Sequence, residues 1–496
     1  MIVEVLKDYV MKLFILTGVG VLVGFPLMYS LHRDDVLSSY TVDLSCTGYV
    51  SSDLSAEIAS YQTTVRDIFA LTLTGSFKNK TYRELATFID KFGNRPAGSE
   101  NLESSIDYVL NLARTYGLDS VHGENVSVRH WVRGNESCVL ISPRVQKLAI
   151  TGLGYSVGTN GTHLEADVLV VQSFDELQLR ADEAKDKIVV IAEDWLGSYG
   201  KTVVYRSRAA VEVARVGGLA ALIRSVTPFS INSPHTGMMT YDDNVTKIPA
   251  AALTVEDAQM LLRMSKRGDP LRISLYMEAQ TLANTVSRNT VAELVGTTEP
   301  DKVVVVSGHL DSWDVGQGAM DDGGGAFISW GALALLKSLG LKPRRTIRAV
   351  LWTAEEVGYI GAEAYKKAHA NETDNFIAMM ESDEGTFTPF GLEFMGSDEG
   401  GCIIKEILKL MEPINATQFK NSSDVGSDIT VWANEVPLLS NLNDNGRYFW
   451  FHHSDGDTMT VLNPDDLDKN TALWAATAYI LADLSVDLPK PTGAKS

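Results

Sequence analysis

Apolar runs along this chain break at acidic or imidazole residues, most densely between Val303 and Gly385. Val303-Val304-Val305-Val306 has the unbroken pattern of a strand buried on both faces. It stops at Ser307-Gly308, and His309 and Asp311 follow at once. Arg348-Ala349-Val350-Leu351-Trp352 runs out into Glu355-Glu356, and Phe376-Ile377-Ala378-Met379-Met380 into Glu381 and Asp383. Between the first two runs, residues 323–339 read as a helix closed by Gly340 and Pro343. Strand, helix and strand predict a parallel sheet whose ligand crevice lies at the carboxyl ends of the strands. The polar residues fall at those ends.

Elsewhere the pattern predicts amphipathic helices over residues 55–73 and 82–92. A turn-rich loop at 93–99 leads into a third helix at 101–116. From about 143 to 280 the texture changes to short apolar strands at 168–171, 188–191 and 219–223. A helix at 204–216 ends at Gly217-Gly218, and residues 248–253 lead into an acid-capped helix at Thr254-Val255-Glu256-Asp257. This segment has no metal-ligand spacing. A last helix is expected at 465–484, then a flexible tail at 489–496. The fold class is α/β, with a mixed, mostly parallel central sheet flanked by helices.

The 496 residues allow two or three domains, and 45% hydrophobic with 21% charged residues is a globular composition. A formal charge of −20, from 43 basic and 63 acidic residues, argues against nucleic acid as a partner. Residues 13–31 are apolar and uncharged, following Lys7 and Lys12. That length suits a membrane span or the core of a signal peptide. Phe25-Pro26-Leu27-Met28-Tyr29-Ser30 is an imperfect cleavage site, and Glu4 and Asp8 dilute the positive start. Cleaved or retained as an anchor, the segment exports the chain, with membrane contact only if it is not cleaved. Eight Asn-x-Ser/Thr sequons, at Asn79, Asn125, Asn135, Asn160, Asn244, Asn371, Asn415 and Asn421, agree with a glycosylated lumenal protein. The expected location is the secretory pathway, extracellular or lysosomal. With three cysteines, Cys46, Cys138 and Cys402, the fold is no disulfide framework, and at least one thiol is unpaired in the monomer.

Imidazole and carboxylate are ligands that suit a divalent zinc ion, and a catalytic site keeps one position open for water. The stretch from 303 to 385 offers His309 with its acids, and His452 and His453 supply the further imidazole such a site needs. Two histidines with four acids suggest two ions sharing a bridging carboxylate.

His309-Leu310-Asp311, Asp321-Asp322-Gly323-Gly324-Gly325, Glu355-Glu356, Asp383-Glu384-Gly385 and His453-Ser454-Asp455-Gly456-Asp457-Thr458 occur in the chain in that order. Together they resemble the zinc exopeptidases that hold two metal ions in one site. That family includes bacterial and fungal aminopeptidases and the glutamate carboxypeptidases. The resemblance runs from about Tyr61 to about Asp487. It implies a zinc-dependent exopeptidase acting on dipeptides or small peptides, with two Zn2+ per subunit. By the same resemblance, His309 and Asp383 bind one ion, Glu356 and His453 the other, and Asp321 bridges them. Glu355 is the implied general base for the attacking water. Asp311 would orient the His309 ring. Asp321-Asp322 stands where the family often has a cis peptide. Glu381, two residues from Asp383 on the same face, is the rival ligand. The family often has Ser-Gly after its bridging aspartate, where this chain has Gly324-Gly325. Several relatives have a Tyr donating to the oxyanion directly before the last ligand, and His452 holds that place here. Arg447 is a candidate to pair a free substrate carboxylate.

The resemblance divides the chain into a signal or anchor at 1–36, a first part of the peptidase domain at 37–142, an insert at 143–280, a second part carrying the metal site at 281–488, and the tail at 489–496. The insert resembles a protease-associated domain, with the implied role of a lid over the cleft. An aminopeptidase with the same site and a non-catalytic receptor-like relative are the alternatives. A homodimer is expected, with apolar Tyr448-Phe449-Trp450-Phe451 near the site.

Overall fold

The eight-stranded central sheet has the order Asp119–Val128, Thr285–Leu294, Arg345–Trp352, Glu299–His309, Phe376–Glu381, Leu438–Asn443, Pro389–Met395, Gln418–Asn421. In this computed structural model residues 46–423 and 425–491 are described. The leader at 1–36, Asp424 and most of the tail lie outside the described residues. Among the described residues no helix is long and apolar enough to cross a membrane.

The middle four strands, from Arg345–Trp352 to Leu438–Asn443, pair in parallel. Thr285–Leu294 joins antiparallel on one side and Pro389–Met395 on the other. The unbroken valine run follows from burial on both faces. Val304 and Val306 pack into one core with Leu333 and Trp474, and Val303 and Val305 into another with Trp352 and Trp432. The helix Gly324–Ser338 lies on the first face with the last helix, Pro464–Asp483. A Cβ on Gly325 would stand 1.8 Å from the Ser382 carbonyl oxygen. The helix start therefore approaches the sheet as closely as it does only because that position is glycine. The helix expected over 55–73 breaks at Tyr61 into Ser52–Ser60 and Gln62–Leu73.

The insert has its own eight-stranded sheet. Leu164–Val171, Ile188–Ile191, Ala220–Arg224 and Ala250–Leu253 run parallel at its centre. Helices Val204–Arg215 and Val255–Lys266 cover opposite faces, through Ala209 and Val213 on one and Leu261 and Met264 on the other. This sheet begins before residue 143. Glu136–Ser142 pairs antiparallel with Arg272–Met277, burying Cys138 and Leu140 in the insert core. Cys46 and Cys402 form a disulfide, and the Cys138 thiol is buried and unpaired.

Candidate metal centre and active site

His309 is the last residue of its strand, and the chain turns so that its Nδ1 lies 2.9 Å from the Asp311 carbonyl oxygen. That aims Nε2 at a group of carboxylates: Asp383 Oδ1 at 3.2 Å, Asp321 Oδ1 at 3.3 Å and Glu355 Oε2 at 3.7 Å. His453 Nε2 makes a second group, 2.9 Å from Glu356 Oε2 and 3.4 Å from Asp321 Oδ2. Asp321 belongs to both.

The backbone around these side chains is held by groups with no role in the sequence reading. Asp321 sits in a distorted turn, Ala319–Gly323, and its peptide bond to Asp322 is cis. The Asp457 carboxylate accepts the N–H groups of Ala319, Met320 and Asp321 at 3.1, 2.7 and 3.2 Å. Asp322 accepts from His309 N at 3.0 Å and Gly325 N at 2.9 Å, tying the strand end to the helix start. The buried Arg95 guanidinium donates to the carbonyls of Leu310, Gln317 and Gly318 at 2.6, 2.8 and 2.8 Å. The turn-rich loop at 93–99 is thus a clamp on the loop after His309.

The insert also reaches the centre. Thr236 places its carbonyl oxygen 3.2 Å from His453 Nδ1, and its N–H donates to the His453 carbonyl at 3.0 Å. Burial lowers the His235 pKa to about 4, and its neutral ring puts Nδ1 2.6 Å from the His452 carbonyl.

Burial drives the proton affinities here. Glu355 and Glu356 are pushed well above the usual carboxylate range, first by burial and then by neighbouring acids, with His309 opposing. The Ser427 hydroxyl donates to Glu355 Oε1. Burial lowers the His453 pKa to about 3 and the His452 pKa well below its ordinary value, so both rings are neutral.

The donor atoms of His309, Asp321 and Asp383 lie within 4.8 Å of one another, and so do those of Asp321, His452 and His453. Asp321 Oδ2 and Glu356 Oε1 are buried and accept no hydrogen bond. The neutral rings of His452 and His453 and the buried carboxylate oxygens lacking donors fit a divalent cation, and the carboxylates around His309, which raise its proton affinity against burial, mark the same place as one for positive charge.

Several sequence expectations need correction. The Asp311 carboxylate does not grip the His309 ring; its Oδ1 is 3.7 Å from Nδ1, and the main-chain carbonyl does that work. The carboxylate instead accepts the N–H groups of Glu355 at 3.0 Å and Glu356 at 3.3 Å. Glu381, the rival to the favoured Asp383, accepts from Ser427 N and Ile429 N at 3.0 Å each through Oε2 and belongs to neither group of donor atoms. Arg447 is exposed, with its guanidinium 5.9 Å over the Phe387 ring, outside the ligand cluster. His452 stacks on His453 with ring centroids 3.5 Å apart and its Nε2 3.7 Å from Asp321 Oδ2, and the buried Tyr448 phenol is a further neighbour of Asp321. Of the eight sequon asparagines seven are exposed; Asn79 is half-buried, with a buried Oδ1.

Residues 289–478 match peptidase family M28. Carboxypeptidase Q of Mus musculus is 50% identical over 439 residues, covering 88% of this chain and 93% of its own. The Homo sapiens protein of that name shows the same identity and coverage. The chain belongs to peptidase family M28. The crystal structure of a peptidase M28 precursor from Shewanella amazonensis superposes with a TM-score of 0.83 at 33% identity, over 88% of this chain and all (100%) of the other. A zinc aminopeptidase from Bacillus subtilis shares the fold, with a TM-score of 0.62 at 17% identity over 84% of this chain and 99% of its own.

Proposed function

We propose that this M28 peptidase is a zinc-dependent exopeptidase of the carboxypeptidase type, hydrolysing dipeptides and small peptides with two zinc ions per subunit. The carrying observation is that Asp321 stands 3.3 Å from His309 Nε2 through one oxygen and 3.4 Å from His453 Nε2 through the other. His309 and Asp383 would hold one ion, Glu356 and His453 the second, and Asp321 would serve both. His452 packs the second imidazole in place. Bound there, zinc supplies Lewis acidity for the scissile carbonyl and the attacking water.

The chain's own residues do the rest. Glu355 takes the proton of the attacking water and delivers it to the leaving amine, and burial suits it to that work by raising its proton affinity. Ser427 occupies Oε1, leaving Oε2 towards the site. Asp311 fixes the peptides of both glutamates, so that the ligand and the base keep their separate directions. The His452 ring and the Tyr448 hydroxyl, both neighbours of Asp321, are the two candidate donors for the oxyanion. The free C-terminus is favoured over the aminopeptidase alternative by the 50% identity to carboxypeptidases.

The same reading includes a secretory-pathway location, supported by the Cys46–Cys402 disulfide and the seven exposed sequon asparagines. It also includes a homodimer. Phe229 and Trp450 are 44% and 39% exposed with ring centroids 5.1 Å apart, an apolar surface suited to a second copy.

The test is metal analysis beside kinetics. Two zinc ions per subunit, loss of turnover on chelation, recovery with zinc, and cleavage of N-blocked peptides with a free C-terminus are expected. Full activity without metal overturns the mechanism. Preference for amino-acid amides overturns the carboxypeptidase assignment.

A further inference from the structure

Beside the ligand cluster lies a cavity of about 340 Å³. It is built by both parts of the chain: Trp131 and Trp313 come from the peptidase portion and Tyr155 from the insert. Glu356 forms its inner end. Ser312, Trp313 and Glu356 also line the narrow cleft at Asp321 and His453, so the cavity adjoins the proposed reacting centre.

Its walls are fixed in place. Trp131 Nε1 donates to the Ser156 carbonyl at 2.9 Å. The Arg129 guanidinium lies 4.0 Å over the Tyr155 ring. Gly154 lies against the Trp313 ring, where a Cβ would come within 2.2 Å of it. The charged groups at the wall cancel, since Arg133 Nε donates to Asp314 Oδ2 at 2.8 Å. The indole N–H of Trp313 is buried and finds no acceptor in the protein, which leaves one polar contact for a ligand to make.

Ligand pockets run from about 300 to 1,000 Å³, so this one sits at the small end. It has room for one amino-acid residue rather than a folded segment. Aromatic surfaces favour flat, apolar partners, because ring–ring contact adds to the gain from burial. A methyl side chain would leave most of the volume unfilled.

We propose that this cavity is the specificity pocket of the enzyme, taking the side chain of one residue flanking the scissile bond and selecting aromatic over small side chains. The proposal rests on the exopeptidase reading and adds the class of substrate to it.

The experiment measures kcat/KM of the zinc-loaded full chain on two dipeptide series, Gly-X and X-Gly, with X as Ala, Leu, Phe or Tyr. In one series the wild type is expected to prefer Phe to Ala by at least about 10-fold, the range that apolar pockets discriminate. Trp131→Leu and Tyr155→Leu are each expected to lower that Phe/Ala ratio several-fold. Zinc content and melting temperature identify any variant that fails to fold, and the other then carries the test. A second readout is binding of free phenylalanine, a product, followed by tryptophan fluorescence; it should weaken in both variants. A wild type that cleaves dipeptides with no aromatic preference, or a ratio unchanged in the folded variants, overturns the pocket and leaves the exopeptidase reading standing. A wild type that cleaves no dipeptide overturns that reading, and the pocket with it.

Discussion

Thr236 turns its main-chain carbonyl to His453 Nδ1 at 3.2 Å, across 217 residues of sequence. The Arg206 Nη1, a donor, lies 3.5 Å from the same nitrogen, and the nearer carbonyl favours the proton on Nδ1, which leaves Nε2 free as a donor of electrons to a metal. Both groups that face this imidazole nitrogen, the Thr236 carbonyl and the Arg206 guanidinium, come from the segment at 143–280.

Gly237, the next residue, tests that dependence. Its φ is +142°, and a Cβ there would stand 2.2 Å from the Arg206 guanidinium carbon. Gly237→Ala should displace the Thr236 carbonyl and weaken zinc binding about 10–100-fold, the usual cost of disturbing a group behind a ligand. Competition with a zinc chelator measures it, with circular dichroism confirming that the fold persists.

The proposed mechanism gives the neighbours Glu355 and Glu356 different tasks. Glu355→Gln keeps the shape and removes the base, so zinc should stay while kcat falls by about 10²–10⁴-fold. Glu356→Gln should instead lower zinc occupancy, since a neutral amide is a poor ligand for a dication. Metal content and kcat measured on both variants separate the roles; the opposite pattern would reverse them.

His369 gives a pH-dependent term far from this chemistry. Its Nε2 lies 3.1 Å from Glu124 Oε2, and the hydrogen bond to Glu124 raises its pKa. The stabilisation is fully present below the unfolded histidine value near 6.5 and is lost as pH rises through the folded value above it. His369→Gln should therefore cost about 0.5–1 kcal/mol at pH 5.5 and little at pH 9. Urea unfolding at the two pH values checks the sign.

Cys46 and Cys402 are linked across 356 residues. Cys402→Ala should cost about 2–4 kcal/mol by releasing that constraint on the unfolded chain. Burial pushes the Cys138 thiol up to about 12, so a thiol reagent should find nothing in the native wild type and one thiol after unfolding without reductant.

What the sequence revealed follows from what side chains record. The valine run at 303–306, the two apolar runs after it and the acids at their ends are periodic or clustered, so the sheet and its crevice were legible. The identities of His309, Asp321, Glu355, Glu356, Asp383 and His453 came through the family resemblance, because their residue types are the chemistry. Support from the main chain leaves no such trace. The Thr236 carbonyl, the Asp311 carbonyl and the N–H groups gathered by Asp457 look like any other peptide in a sequence. Arg447 was singled out for a positive charge close in sequence to His453, and its place over the Phe387 ring is a tertiary feature that the sequence did not show. Tyr448 was visible only as an apolar-segment residue, because the turn that carries its phenol to Asp321 is a tertiary feature.

The spread of the centre along the chain also has a consequence for biosynthesis. A nascent polypeptide leaves the ribosome amino end first, and domains fold as they emerge. His235 and Thr236 are exposed to the lumen or cytosol of the translating cell long before His452 and His453 are made. The last two imbedded imidazoles must therefore dock onto a surface already waiting for them. Translation stopped before residue 453 would also remove the buried helix Pro464–Asp483 from the main core, so such a chain would lose the packing of its central sheet together with His453.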